Sequence, residues 1–187
     1  MKNTIRSEIL KTRRCLTTTD VAEKSNRIKQ RLFALDVYKI AKTILFYVSY
    51  DNEVSTHEMI QESLAAGKRV VVPKVNEKDH TLSLSLLSKW SDLSPCSYNI
   101  LEPRPECLSE VVVESIDLMI LPGVVFDEKG NRIGHGLGYY DRLLQKEKKA
   151  SVIALAFECQ MVQNIPVEKH DMRVEKIITE DRIINCL

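Results

Sequence analysis

The sequence predicts an α/β protein: a single three-layer α/β/α domain over residues 1–187, with a mainly parallel sheet and antiparallel additions. Three observations predict it. Apolar runs at Thr43–Val48, Arg69–Pro73, Ile116–Leu121 and Ser151–Phe157 are short and do not alternate, as in strands buried on both faces. Segments with helical spacing separate them. Thr81–Leu86 alternates strictly, as a strand with one wet face does.

The elements follow in order. Residues 3–15 read as a helix, with Ile5, Ile9 and Leu16 apolar among Lys2, Arg6, Lys11, Arg13 and Arg14. Taken alone, its basic face reads as solvated. Thr17–Asp20 breaks that helix, and Asp20-x-x-Glu23 is the expected capping box of the next. Ile28, Leu32 and Leu35 fall on one face of it. The strand Thr43–Val48 runs into Ser49–Glu53, and open α/β sheets bind ligands beyond such carboxyl ends. Ser55–Glu58 has the form of a capping box for a helix ending at Gly67. Residues 74–105 are expected to add antiparallel strands to the main sheet, with Trp90 and Tyr98 as packing residues. Lys176–Thr179 reads as a last strand and Arg182–Ile184 as an edge.

Bulk properties exclude several classes. With 44% hydrophobic and 28% charged residues, the chain has an ordinary globular composition. A formal net charge of +1 gives no attraction for nucleic acid or an anionic membrane. The five cysteines are scattered without a Cys-x-x-Cys pair, so reduced thiols in the cytoplasm are expected. The four histidines form no His-x-x-x-His pattern, which argues against a structural zinc. The N-terminus lacks the apolar core of a signal peptide, and no run is long enough to span a membrane. The expected molecule is a monomer acting on a small substrate.

The most informative stretch is Leu121–Leu144, which holds five of the six glycines. Strand, glycine loop, helix is how an α/β protein offers backbone N–H groups to an anion. Arg132 and His135 add side-chain donors, and Asp141 falls in the first turn of the following helix. The Rossmann fingerprint would need glycine at Tyr139, and the P-loop would need Gly-Lys-Ser/Thr where Gly138 meets Tyr139.

Here the sequence resembles the 5-formyltetrahydrofolate cyclo-ligase (5,10-methenyltetrahydrofolate synthetase) family. Pro122-Gly123-Val124-Val125-Phe126-Asp127 matches its P-G-x-x-F-D segment. Gly130-Asn131-Arg132-Ile133-Gly134-His135-Gly136-Leu137-Gly138-Tyr139-Tyr140-Asp141 matches its G-x-R-[L/I]-G-x-G-x-G-Y-Y-D signature. Lys2-Asn3-Thr4-Ile5-Arg6 resembles its opening Lys-x-x-[aliphatic]-Arg, Glu53-Val54-Ser55-Thr56 its Glu-[aliphatic]-x-Thr, and Ile100–Pro103 its Glu-Pro turn, with Asn99 where glycine is usual. The segment around Asp171 resembles one whose acid is assigned to magnesium.

The resemblance implies ATP- and Mg²⁺-dependent cyclisation of 5-formyltetrahydrofolate, a reduced folate, to 5,10-methenyltetrahydrofolate. It places Lys2, Arg6, Arg132, Gly134, His135, Gly136, Leu137, Gly138, Tyr139 and Tyr140 on ATP. Val48, Glu53, His135, Gly136, Leu137, Gly138 and Tyr139 are placed on the folate, and Asp141 and Asp171 on magnesium. Arg132 and Tyr140 are the expected catalytic residues. Other members often carry Arg or Tyr at the position of His135, and Lys or Gly at that of Leu137. Leu137 brings no charge and is expected to offer only its backbone N–H, so Arg132, with Lys2 and Arg6, should carry more of the phosphate charge. Two rival readings are a magnesium-independent effector-binding module holding a sugar phosphate, and a phosphosugar isomerase or CoA-transferase-like enzyme with no need for ATP.

Overall fold

Strands β1 (Thr43–Phe46) and β6 (Leu118–Leu121) are buried at every residue. They accordingly lie side by side, parallel, in the interior of the sheet. The computed structural model describes residues 1–96, 100–146 and 149–186. Among these, β2 (Arg69–Asn76) pairs with β1, β9 (Ser151–Leu155) with β6 and β10 (Lys176–Ile178) with β9, all parallel. Two antiparallel strands close the ends, β3 (Thr81–Leu87) on β2 and β11 (Ile183–Asn185) on β10. The order is β11-β10-β9-β6-β1-β2-β3. The five parallel strands alone follow the order 2-1-3-4-5, which reverses between β1 and β6. The loops leaving those two strands therefore diverge and leave a crevice.

One face is covered by α2 (Thr18–Ala34), α3 (Asp36–Ile40) and α4 (His57–Ala65). Their Ile28, Leu32, Tyr38, Met59 and Ile60 pack with Ile44, Phe46, Val70 and Ile120 of the sheet. The other face is covered by α5 (Tyr139–Lys146), whose Leu143 and Leu144 pack with Leu45, Val71, Met119 and Leu121. Helix α1 (Lys2–Arg14) stands apart from both layers. Its Ile5, Ile9 and Leu10 sit on a small third core of Val124, Val125, Ile133 and Ile165.

Four local expectations are corrected. The box opening α2 is Thr17 with Asp20, not Asp20 with Glu23: Asp20 N–H donates to Thr17 Oγ1 (3.1 Å) and Thr17 N–H to Asp20 Oδ2 (2.9 Å). The Ser55–Glu58 box does not form, and the N-cap of α4 is Thr56, without a side-chain cap. Its hydroxyl is engaged in the core, donating to Tyr47 O (2.7 Å) and accepting from Ser49 N–H (3.1 Å). Of residues 74–105, the end of β2 and β3 belong to the main sheet. Strands β4 (Leu93–Pro95) and β5 (Leu101–Pro103) form a separate ribbon. Glu102 ties that ribbon to β2 by accepting from Val75 N–H (3.1 Å). Trp90 packs as expected, its ring 4.9 Å from that of His57; Tyr98 and Asn99 lie outside the described residues.

The fourth correction matters most. A direct strand–loop–helix passage is not formed, because a two-stranded ribbon of β7 (Val125–Phe126) and β8 (Arg132–Ile133) intervenes. The turn Asp127–Gly130 joins its strands, with Gly130 N–H donating to Asp127 O (3.0 Å). The Asp127 side chain is buried, and its carboxylate accepts from the backbone N–H groups of Lys129, Asn131 and Ile165 and from the Asn131 amide. One acid thus fixes both the turn before the glycine loop and the start of the segment that leads to Asp171.

Gly130 has φ +80°, and a Cβ there would stand 2.3 Å from Val174 O. Gly67 has a similar φ of +75° but nothing within 4 Å. Gly67→Ala is therefore expected to lose about 1 kcal/mol, from backbone strain alone. Gly130→Ala should lose about 3 kcal/mol, because the collision is with backbone. Urea unfolding of the two variants checks the difference.

Candidate active site

The ribbon delivers Arg132 into the crevice and the following loop, residues 134–138, carries the chain back to α5. A cavity of about 760 Å³ opens there. Three segments far apart in sequence line it: Lys2 and Arg6 of α1, the Arg132–Asp141 stretch, and Glu168 with Asp171. Arg6 Nε donates to Gly134 O (2.8 Å), so α1 is fastened to the glycine loop. Arg13 fastens its other end: the side chain is buried, and Nε donates to Asn52 Oδ1 (2.9 Å) in the loop after β1. The N-terminal arm is therefore part of the site wall rather than a solvated face.

Each expected metal acid is held by a cation. Arg132 Nη2 lies 3.0 Å from Asp141 Oδ1, and Lys2 Nζ lies 2.6 Å from Asp171 Oδ2 and 3.3 Å from Glu168 Oε1. The two pairs differ in burial. The Arg132 side chain is only 3% exposed, and its Nε is buried with no hydrogen-bond partner among the described residues. Burial pushes the Arg132 guanidinium below its usual range, and the Asp141 charge opposes the shift. For Asp171, burial alone would raise the carboxyl, but the Lys2 hydrogen bond, the Glu168 N–H and nearby positive charge outweigh it and hold it low. Burial would lower Lys2, and Asp171 and Glu168 overcome that and raise it. The low Asp171 value gives stability above the ordinary carboxylate range, lost as pH falls through the depressed value. The raised Lys2 value gives stability below the ordinary lysine range, lost as pH rises through the raised value. The pair is ionised throughout the neutral range.

The expected folate residues are not brought together in one place: Gly136, Leu137 and Gly138 line the larger cavity, whereas Glu53 and His135 meet outside its lining. Glu53 is 6% exposed and accepts from Tyr50 N–H (3.3 Å). His135, exposed on the loop, brings Nε2 to 3.8 Å from Glu53 Oε1 and 3.2 Å from Tyr50 OH. Val48 is buried just after β1. Tyr140 stands between the clusters, with its ring centroid 5.7 Å from the Arg132 guanidinium. Burial pushes its phenol far above the ordinary range, the Glu53 charge adds to this and Arg132 opposes it. Tyr140 is thus neutral, a donor rather than a base. Tyr139 lines a second cavity of about 240 Å³ between β3 and α5, and meets the His80 ring edge-on at 5.9 Å. Val48, Glu53, His135, Tyr139 and Tyr140 do not line the larger cavity.

Several residues that shape the site carried no assignment from sequence. Asp127 was visible only as the end of a motif. Glu168 and His170 surround Asp171, with ligand atoms all within 4.8 Å of one another. Their spacing, Glu-x-His-Asp, was the available signal. Arg142 donates to His80 O (2.8 Å) and to Leu137 O, tying the β2–β3 hairpin to the glycine loop. Gln160, buried, donates to Gly123 O and Val124 O (2.9 Å each) and steadies the chain entering the ribbon. Single polar residues of this kind have no periodicity that would mark them.

Cations from separate segments gathered beside a glycine loop, beyond the carboxyl ends of a parallel sheet, mark an α/β enzyme of small molecules. More particularly, the chain belongs to the 5-formyltetrahydrofolate cyclo-ligase family, whose sequence profile matches residues 1–180. The 5-formyltetrahydrofolate cyclo-ligase of Mus musculus is 32% identical over 193 residues, 96% of this chain and 94% of that protein. That of Haemophilus influenzae is 34% identical over 178 residues, 93% of this chain and 95% of that one. The solution structure of Aquifex aeolicus 5,10-methenyltetrahydrofolate synthetase superposes with a TM-score of 0.87 at 28% identity, covering 99% of this chain and 92% of that one. A Mycoplasma pneumoniae synthetase gives 0.78 at 25% identity, covering 96% and 98%. The family is one of ligases acting in folate metabolism.

The charge pairs make a prediction that needs no substrate. In Lys2→Met the burial of Asp171 persists while its main partner is removed. The Asp171 carboxyl should then titrate at higher pH than in the parent protein. Side-chain carboxyl NMR across the acidic range reads this directly, and an unmoved titration would show that Lys2 does not hold Asp171 in solution.

Proposed function

We propose that the chain catalyses ATP-driven cyclisation of 5-formyltetrahydrofolate to 5,10-methenyltetrahydrofolate, releasing ADP and phosphate. One observation carries the reading: a single cavity gathers Lys2, Arg6, Arg132, the glycine loop and both acids from segments as far apart as residues 2 and 171. The five cysteines are free, and no helix among the described residues is long and apolar enough to cross a membrane. Free thiols suit the cytoplasm, and we read the enzyme as a single-domain monomer.

The chemical difficulty is the N5-formyl group, an amide whose oxygen leaves poorly. Transfer of the γ-phosphoryl group to that oxygen turns it into a phosphate leaving group. N10 then attacks the formyl carbon, the C–O bond to phosphate breaks, N10 loses its proton and the ring closes. The protein's task is positioning and charge stabilisation. Lys2, Arg6 and Arg132 face the phosphates, and the 134–138 loop offers backbone N–H groups. Glu53 accepts N–H donors of the pterin, His135 bridges the two subsites, and Val48 backs the folate side. Tyr140, neutral beside Arg132 and Glu53, donates a hydrogen bond toward the reacting centre, and Tyr139 bounds the loop where it turns into α5.

Asp141 and Asp171 suit magnesium. Both hydrogen bonds to Asp141 fall on Oδ1, from Arg132 and from Met172 N–H, and those to Asp171 fall on Oδ2, from Lys2 and from Glu168 N–H. Each acid keeps its second oxygen free of these hydrogen bonds, as a hard cation would need, with His170 Nε2 3.9 Å from Asp171 Oδ1. The ion, once bound, supplies charge neutralisation on the phosphates.

Purified protein with 5-formyltetrahydrofolate and Mg²⁺ is expected to develop the methenyl chromophore only when ATP is added. Product formation without ATP, or none with it, would overturn the proposal. Arg132→Ala should cost about 2–3 kcal/mol in kcat/KM for ATP, the scale of a charged hydrogen bond. It should also destabilise the fold by roughly 3 kcal/mol, since Asp141 keeps its charge without its partner. Steady-state kinetics at a temperature where the variant remains folded, beside a denaturation curve, separates the two effects.

A further inference from the structure

Arg13 is only 2% exposed, whereas Lys11, Thr12 and Arg14 beside it are exposed. Burying a guanidinium is costly unless its donors are met, so the burial of this one side chain marks a specific contact. Its Nε donates to Asn52 Oδ1 (2.9 Å), and the Asn52 amide donates back to Arg13 O. The two residues clasp each other across 39 positions of sequence.

Asn52 is the third residue of a tight turn, closed by Glu53 N–H donating to Tyr50 O (3.2 Å). Asp51, the second, has φ +52°. A positive φ at that position normally calls for glycine, and a side chain there carries strain that the surroundings must hold. The residue leaving the turn is Glu53, which is buried. Its Oε2 accepts from Tyr50 N–H (3.3 Å), and its Oε1 lies 3.8 Å from His135 Nε2. The strained turn therefore fixes the direction of this carboxylate. The Arg13 charge reaches the same place: burial raises the Tyr50 phenol, the Glu53 charge adds to this and Arg13 opposes it.

We infer that Arg13 and Asn52 are positioning residues for the folate side: their clasp holds the Tyr50–Glu53 turn in its strained form and so aims Glu53 at the substrate. This rests on the proposed function above, in which Glu53 accepts N–H donors of the pterin. Helix α1 thus serves both substrates, the nucleotide through Lys2 and Arg6 in its first turns and the folate through Arg13 in its last. The two ends are separable. The Arg6–Gly134 bond and the packing of Ile5, Ile9 and Leu10 hold the first turns without Asn52.

Calorimetric titration of the full chain with 5-formyltetrahydrofolate and with Mg²⁺-ATP, each alone, tests this. The variants are Arg13→Met, Asn52→Ala, and each of these combined with Asp51→Gly. Both single variants should bind 5-formyltetrahydrofolate about tenfold more weakly, the scale of one strained residue, and ATP as the parent does. Adding Asp51→Gly should restore most of the lost folate affinity, because glycine takes a positive φ without the clasp. A purely structural anchor of α1 would not be rescued by a change in that turn. If ATP binding weakens as much as folate binding, the clasp holds the arm rather than Glu53, and the inference fails. Unchanged folate affinity, or a loss that Asp51→Gly leaves in place, also overturns it. Should Arg13→Met not fold, the Asn52→Ala pair decides the question by itself. If the parent protein does not bind 5-formyltetrahydrofolate, the proposed function is wrong and this inference falls with it.

Discussion

The site depends on a carboxylate buried away from the lining of its cavity. Asp127 is 1% exposed and accepts hydrogen bonds from Lys129, Asn131 and Ile165. A buried charge is tolerated only when it is satisfied in this way. The same bonds that satisfy it determine the geometry around it. The turn it shapes sets the ribbon that carries Arg132, and its bond to Ile165 sets the departure of the segment that carries Asp171. Asn131 extends the frame by accepting from Arg173 Nε (3.0 Å) just beyond Asp171. The two walls of the cavity are thus referred to one point.

The two ion pairs across the cavity are not equivalent. Arg132 and Asp141 are 3% and 20% exposed, Lys2 and Asp171 21% and 16%. Separating the deeper pair leaves a nearly buried charge uncompensated, at about 3–5 kcal/mol. The Lys2 pair lies nearer solvent, where such contacts contribute roughly 1 kcal/mol or less. A polyphosphate would therefore draw Lys2 away from Asp171 more readily than it would draw Arg132 from Asp141. Arg132 is thus the more firmly held charge, with the Tyr140 ring beside it, and Lys2 the more readily moved one.

The sequence made the architecture legible because strand burial leaves a trace in every residue. Ile44, Leu45 and Phe46, or Val70, Val71 and Val72, have no polar face to show, and such strands belong inside a parallel sheet. The glycine stretch was legible for a similar reason, being long and ordered. What escaped were arrangements decided by single contacts. The ribbon at residues 125–133 has two residues per strand, too few for a periodic signal. Thr56 looked like part of a capping box, but its hydroxyl was claimed by Tyr47 and Ser49. The basic face of α1 could not be distinguished from a solvated one by composition. Its meaning came from what Lys2, Arg6 and Arg13 touch across the fold. Asp127 and Arg142 show the same limit, since their partners are distant or main-chain groups.

The reach of α1 has a consequence for the order of events during synthesis. Lys2 meets Asp171 and Arg6 meets Gly134, partners 169 and 128 residues away. During synthesis α1 emerges well before its docking surface, Val124, Ile133 and Ile165. At roughly 5–20 residues per second, the first helix waits many seconds with its apolar stripe uncovered. The strands β1, β2 and β3 can pair in the meantime, since their contacts are closer in sequence. The cationic wall of the cavity consequently assembles only after the segment around Asp171 has been made.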